Sequence, residues 1–262
     1  MTSGLRLQFH TPPPLAMDPP CHSGCSLRQL LIIPKFKMVS VWNIVAGVMA
    51  GSWGCTIDLQ DAFFGVPIAE AFQCYLAFVV DGVVYVFLFL PFGLAVAPWA
   101  FTRVIRPIKG FCHKQGLALH SYLDDFLLLN PSRLGLLQDA SYLLDVFHRL
   151  GLPVNHGKSR LEPSQLVEYL GVSFNLDLMT LSLPISKILS IRRLCRSCLA
   201  RSHMSRRHLE HLVGTLNFAA RFVPLGILRL RPLVLWMNGQ TSPSSRDSPV
   251  PLNRVFRDAL QV

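Results

Sequence analysis

The sequence predicts an α+β protein: an antiparallel sheet built from hairpins, with helices packed on it, followed by a segment that is helical alone. Three observations carry this. Short apolar runs flank turn residues, as 75–80 and 83–90 do around Asp81-Gly82, a two-residue hairpin signal. Leu136, Leu137, Ala140, Leu143, Leu144, Phe147 and Leu150 recur at helical spacing, the apolar stripe of a packed helix. Beyond about 185 only helical patterns remain, near 185–201, 205–222 and 225–237. At 262 residues the chain can bury a substantial core, as one large domain or two small ones.

Residues 1–26 hold Pro12, Pro13, Pro14, Pro19 and Pro20 without hydrophobic periodicity, which reads as a disordered leader. A short apolar piece up to Pro34 follows, then an expected helix over 39–49 and a turn at Ala50-Gly51-Ser52. Cys55-Thr56-Ile57-Asp58-Leu59-Gln60 reads as a strand with a carboxylate inside it. Asp is disfavoured in strands and costly to bury unpaired, so Asp58 asks for a reason. Residues 83–101 carry no charge, long enough for a membrane-spanning helix. Pro91, Gly93 and Pro98 break that run, and a strand, a Pro-Phe-Gly turn and a helix from Ala97-Pro98 to about Gln115 fit better. Phe101, Val104, Ile105 and Ile108 form its expected apolar side. Ser132 caps the next helix and Gly151 stops it. Residues 167–174 and 178–183 read as a further hairpin, and the Ser/Pro-rich tail from 239 to 262 as disordered.

Charge placement narrows the partners. The chain carries a net +10, and between Lys187 and Arg231 ten Lys or Arg face one acid, Glu210. That segment holds +9 of the excess, which suits a polyanion such as nucleic acid, the alternatives being a solvated basic face or attraction to an anionic membrane surface. Within it, Ile188, Ile191, Cys195 and Cys198 fall on one helix face and Arg192, Arg193 and Arg196 on the opposite one. The seven cysteines are odd in number and scattered through apolar segments, the pattern of reduced, buried thiols in an intracellular protein (cytoplasm or nucleus). Cys21/Cys25 and Cys195/Cys198 lack a second pair at zinc-finger spacing. No signal-peptide pattern opens the chain.

The chemistry centres on His120-Ser121-Tyr122-Leu123-Asp124-Asp125-Phe126-Leu127-Leu128-Leu129, two adjacent carboxylates between strand-length apolar runs. One reading is a plain hairpin turn, where Asp is common. The other is a metal site at a hairpin tip. Asp58, 66 residues upstream, supplies a third carboxylate if the strands are neighbours. Three converging carboxylates repel, and divalent cations relieve the repulsion. Two such ions, roughly 4 Å apart, stabilise attacking and leaving oxygens in phosphoryl transfer. Mg²⁺ needs only a few carboxylates plus substrate phosphates.

Five motifs in register give residues 36–220 a resemblance to the palm and thumb of a retroelement reverse transcriptase. They are Thr56-Ile57-Asp58-Leu59-Gln60-Asp61-Ala62-Phe63-Phe64, Leu90-Pro91-Phe92-Gly93-Leu94-Ala95-Val96-Ala97-Pro98, Tyr122-Leu123-Asp124-Asp125, Leu150-Gly151-Leu152-Pro153-Val154-Asn155-His156-Gly157-Lys158-Ser159, and Glu168-Tyr169-Leu170-Gly171-Val172-Ser173-Phe174. Lys35-Phe36-Lys37-Met38 and Leu212-Val213-Gly214-Thr215-Leu216-Asn217 are similar to the DIRS-like, tyrosine-recombinase group.

The resemblance implies a right-hand polymerase fold: a disordered leader (1–26), a palm with a remnant of fingers (27–183), a basic helical thumb-like region (184–238) and a disordered tail (239–262). It implies RNA-directed DNA polymerase activity with two Mg²⁺ ions, Mn²⁺ being the alternative, on Asp58, Asp124 and Asp125 as catalytic and metal-binding carboxylates. Asp61 and Ala62 would offer backbone N–H groups to a deoxynucleoside triphosphate, and Phe63 would gate against a ribose 2′-hydroxyl or serve as a core aromatic. Phe92 and Gly93 would line the nucleotide pocket, and Lys158 would assist proton transfer to pyrophosphate or be a surface charge. Leu170 and Gly171 would grip the primer of an RNA or DNA template, and Arg192, Arg193 and Arg196 would hold the nucleic-acid backbone. Fingers are expected to be mostly missing, only Leu27-Arg28-Gln29-Leu30 resembling their end with Arg28 the sole triphosphate candidate, and an RNase H domain is expected to be absent. The alternative is a catalytically inactive remnant that binds nucleic acid.

Overall fold

A computed structural model describes residues 31, 34–38, 40–45, 47–240 and 247–261. The expected leader, Arg28 and Cys21/Cys25 lie outside the described residues. The chain divides into two compact units, Met1–Gln165 and Leu166–Val262.

In the first unit, helix α1 (Val41–Val45) is shorter than the predicted 39–49. Strand β1 (Trp53–Asp58) is followed by a 3₁₀ turn at Ala62–Gly65 and α2 (Glu70–Gln73). The hairpin β2 (Ala77–Val80) and β3 (Val83–Val86) turns at Asp81-Gly82, both at positive φ (50° and 77°). That is the type I′ geometry which matches strand twist. Helix α3 (Ala97–Lys114) opens at Ala97-Pro98 as expected, with the proline in its first turn. It buries Phe101 and Ile105, but Val104 is exposed, correcting the expected apolar face.

Strands β4 (Ala118–Tyr122) and β5 (Asp125–Asn130) form the next hairpin. Helix α4 (Arg133–Arg149) follows, with Ser132 Oγ accepting from the Gly135 N–H at its start. Strand β6 (Arg160–Ser164) is not foreshadowed, because Pro163 and its flanking polar residues mask a strand pattern. The sheet order is β4-β5-β1-β6, antiparallel where paired. Because β5 is central, Phe126, Leu127, Leu128 and Leu129 are all buried, so it reads as a continuous apolar run rather than an alternating one. One sheet face packs on Phe101 and Ile105 of α3 and on Leu136, Leu143 and Phe147 of α4. Phe126 meets Phe147 at 5.0 Å between centroids. Each such fully buried side chain contributes about 1.5–3 kcal/mol.

The second unit opens with a three-stranded sheet: β7 (Leu166–Tyr169), β8 (Val172–Asn175) and β9 (Thr180–Ser182). The stretch 167–174, expected as one arm of a hairpin, folds back on itself at Leu170-Gly171. Helices α5 (Ile185–Leu199), α6 (Arg206–Ala219) and α7 (Gly226–Gly239) match the three predicted. Between α5 and α6, β10 (His203–Ser205) pairs with β11 (Pro249–Pro251). Helix α8 (Arg254–Gln261) then packs Phe256 on Trp236, 5.0 Å between centroids. The tail from 247 is therefore ordered, correcting the expectation of disorder. Leu252, Phe256 and Leu260 repeat every four residues, an amphipathic signal that the Ser/Pro-rich composition before it obscured.

Candidate active site

A strand fixes the positions of its side chains through its register. Here β1 pairs with β5 so that Asp58 lies opposite Asp125, and β5 pairs with β4 so that Tyr122 also faces Asp125. The Asp124 carbonyl accepts from the Leu59 N–H at 3.0 Å. All three carboxylate-bearing residues are thereby fixed at the same end of two adjacent strands. Leu123, first of the two turn residues, sits at φ 54°. A branched side chain there is strained, and such strain is retained where the surroundings impose it.

Asp58 is held by a loop about 100 residues downstream. Its N–H donates to Ser159 Oγ (3.0 Å), and its carbonyl accepts from the Asn155 N–H (2.8 Å). Ser159 in turn donates its hydroxyl to the Asn155 carbonyl (2.8 Å), while Asn155 Oδ1 accepts from the Lys158 N–H (3.2 Å). Gln60 N–H donates to the Pro153 carbonyl (2.8 Å). Sequence reasoning assigned no role to Asn155 or Ser159. The Asn155-His156-Gly157 turn signal was there, but not its target.

The electrostatics follow from this crowding. The Asp58 side chain is only 17% exposed and approaches Lys158 Nζ at 4.0 Å, whereas the Lys158 side chain is 72% exposed. A contact so open to water is weak. Burial, then the charge of Asp124, then a hydrogen bond and the charge from Asp58 push the Asp125 carboxyl up from 3.8 to about 6, against the pull of Lys158. Like charges this close raise the cost of ionising Asp125, and a divalent cation would relieve it. Among the described residues no three ligand side chains close around a common point; Asp58 divides its carboxylate between Asp125 and Lys158 instead. The donor set is nonetheless all oxygen and acidic, which suits a hard divalent cation.

The other predicted residues of this unit cluster nearby in the chain. Asp61 occupies the left-handed region (φ 49°, ψ 36°) at the head of the 3₁₀ turn. As the first residues of a helical turn, Asp61 and Ala62 carry N–H groups that the turn does not consume. Phe63 is half-buried, edge-to-face with Phe92 (5.1 Å) and Phe101 (5.2 Å). Phe92 is 58% exposed, and Gly93 adopts φ 85°, which closes the Pro91-Phe92-Gly93 turn.

In the second unit, Leu170 (φ 50°) and Gly171 (φ 72°) form a tight turn between paired Tyr169 and Val172. A Cβ on Gly171 would come within 2.6 Å of Lys187 Nζ, and that ammonium lies 4.0 Å from the centroid of the Phe218 ring, a cation–π contact. Arg192, Arg193 and Arg196 are exposed on α5, while Cys198 is buried. Burial, then the charge of Asp139, raises the Cys55 thiol to about 12, so it is inert, as expected of core cysteines. Among the described residues no helix is long and apolar enough to cross a membrane.

Comparison with known proteins gives a consistent answer. The profile of the family described as reverse transcriptase (RNA-dependent DNA polymerase) matches residues 29–174. The chain is 26% identical over 200 residues to the Gag-Pro-Pol polyprotein of Human T-cell leukemia virus 2, covering 72% of this chain and 13% of that protein. It is 25% identical over 182 residues to Protein P of Duck hepatitis B virus (isolate Shanghai/DHBVQCA34), covering 68% and 22%. The chain thus spans less than a quarter of these curated relatives. Its fold is similar to a foamy viral protease-reverse transcriptase in complex with double-stranded DNA (TM-score 0.71, 20% identity, 88% of this chain and 38% of that one). It is similar also to the same viral protein with an RNA/DNA hybrid (TM-score 0.68, 20% identity, 88% and 30%).

Proposed function

Because the chain belongs to the reverse transcriptase family, we propose that it is an RNA-directed DNA polymerase domain of a retroelement, extending a primer on an RNA or DNA template with deoxynucleoside triphosphates. The observation that carries this reading is the strand register that sets Asp58 opposite Asp125 with Asp124 bonded to the next backbone position. Asp58, Asp124 and Asp125 would hold two divalent cations, Mg²⁺ or Mn²⁺, whose chemistry is to stabilise the attacking and leaving oxygens. Asn155 and Ser159 fix the backbone of Asp58, so its carboxylate is aimed before substrate arrives. Lys158, exposed beside Asp58, is placed to hand a proton to departing pyrophosphate. Asp61 and Ala62 present N–H groups to the triphosphate, with Phe92 and Gly93 beside it. Phe63, braced by two rings, is the gate against ribonucleotides.

Residues 27–183 act as palm with a remnant of fingers and 184–238 as a thumb-like region, a functional division that differs from the packing boundary after Gln165. The turn at Leu170-Gly171 grips the primer, and Arg192, Arg193 and Arg196 hold the backbone of the nucleic acid. Lys35-Phe36-Lys37-Met38 and the 212–217 motif support placement in the DIRS-like group.

Primer extension by the purified chain on RNA and DNA templates tests the reading. Asp124→Asn with Asp125→Asn is expected to lower incorporation at least 1,000-fold, the order seen when a principal electrostatic contribution to catalysis is removed. Equal incorporation by both proteins would overturn the mechanism. Nucleic-acid binding without Mg²⁺-dependent incorporation by either would instead support the inactive remnant.

A further inference from the structure

Helix α3 places Thr102, Arg106, Lys109 and His113 on one stripe, spaced by four, three and four residues. A helix normally turns such a stripe toward a core or toward open water. This one lines a cavity of about 370 Å³ together with Lys37 and with Tyr122 of edge strand β4. No acidic side chain lines the cavity. Among the described residues no ion pair engages Lys37, Arg106 or Lys109. His113 is oriented by its Nδ1, which lies 3.1 Å from the Leu117 carbonyl and so donates to it, leaving Nε2 available.

Of these side chains Lys109 is half-buried, while Lys37, Arg106 and His113 are exposed where they line the cavity. Burial pulls Lys109 below its ordinary range. Burial first, then the charges of Lys109 and His113, depress the neighbouring His120. The dipole of α3 favours cations in its last turn, which accounts for His113 and Lys114 but not for Lys109 or Arg106, one and two turns further back. A cluster of one sign around a common cavity is unfavourable without a counter-charge, and its N–H donors match the oxygens of a phosphate.

We propose that this cavity is a phosphate-binding site in which Lys37, Arg106, Lys109 and His113 hold a backbone phosphate of a bound nucleic-acid strand beside the strand that leads into the Asp124-Asp125 hairpin. The nucleic-acid source of the phosphate rests on the polymerase reading; the anion site does not. Occupation would tie the strand to the scaffold of the active site.

The test measures duplex binding over a range of salt and thermal shifts with inorganic phosphate or pyrophosphate, using the full chain. Arg106→Gln with Lys109→Gln is the variant, with Lys109→Arg retaining charge and Lys37→Gln altering an irregular segment. The double variant is expected to reduce the salt slope by about 1, the loss of one neutralised phosphate, and Lys109→Arg to keep it. An unchanged duplex slope with a pyrophosphate shift lost in the double variant assigns the site to free phosphates. No duplex binding by the unaltered chain defeats the polymerase reading while the pyrophosphate arm still decides the site. Unchanged slope and unchanged shifts across all variants would overturn the proposal.

Discussion

His120 offers a quantitative check on the electrostatics of the sheet edge. Its imidazole falls from 6.5 to about 4, first through burial and then through Lys109 and His113. A base whose folded pKa is depressed stays neutral in the fold while the unfolded chain takes up a proton. Its contribution is therefore intact above pH 6.5 and lost as pH falls toward 4. Each pKa unit is worth about 1.36 kcal/mol, so the displacement sets a ceiling of about 3 kcal/mol. Partial exposure reduces this to about 2 kcal/mol. Asp125 acts in the opposite sense: raised to about 6, it favours the fold below pH 3.8 and loses that contribution as pH rises through 6. The two windows overlap, so a single stability curve would hide both. The assay is urea unfolding in EDTA from pH 4 to pH 7 for the unaltered chain and for His120→Gln. The variant should lose about 2 kcal/mol less on acidification. Parallel curves would refute the account of the His120 environment.

Three further outcomes follow from the geometry. Ser159→Ala removes the acceptor for the Asp58 N–H; it should cost about 1–2 kcal/mol in stability and lower primer extension while leaving duplex affinity unchanged. Phe63→Val should raise ribonucleotide incorporation relative to deoxynucleotide on the order of 100-fold, and lower stability by about 1–3 kcal/mol as two edge-to-face contacts are lost; extension assays with each nucleotide type and thermal melts read the two effects apart. Gly171→Ala should cost about 1–2 kcal/mol, from its φ of 72° and the approach of Lys187 Nζ. Adding Lys187→Met should restore only the contact part, measured by a double-mutant cycle.

What sequence could reveal here was local. The Asp81-Gly82 turn, the start of α3 at Ala97-Pro98, the Ser132 cap and the Leu136, Ala140, Leu143, Phe147 stripe of α4 each announce themselves within a few residues, whereas Leu137 and Leu150 of the expected stripe are exposed. Asp58 was legible as an anomaly, a carboxylate in a strand, and the adjacent Asp124-Asp125 pair gave it a destination. Non-local features were closed to such reading. Ser159 meets Asp58 across 101 residues, and no local pattern encodes that partner. Leu123 and Leu170 take positive φ where glycine would have signalled the turn, so both were concealed by their side chains. The cationic stripe of α3 was visible only as charges breaking an apolar pattern, because its meaning depends on the cavity it borders.

The pairing of Asp58 with Asp125 has a consequence for how this chain can vary in length. Successive strand residues point to opposite faces, so inserting or deleting one residue within β1 or β5 would turn one carboxylate to the far side of the sheet. A two-residue change would keep the face but slide the group about 7 Å along the strand, beyond the reach of a shared cation. The intervening segments 66–96 and 131–159 sit outside that constraint except where Asn155 and Ser159 bind back. Natural length variation should therefore collect in those connections and be absent from the two strands, whatever their side chains become.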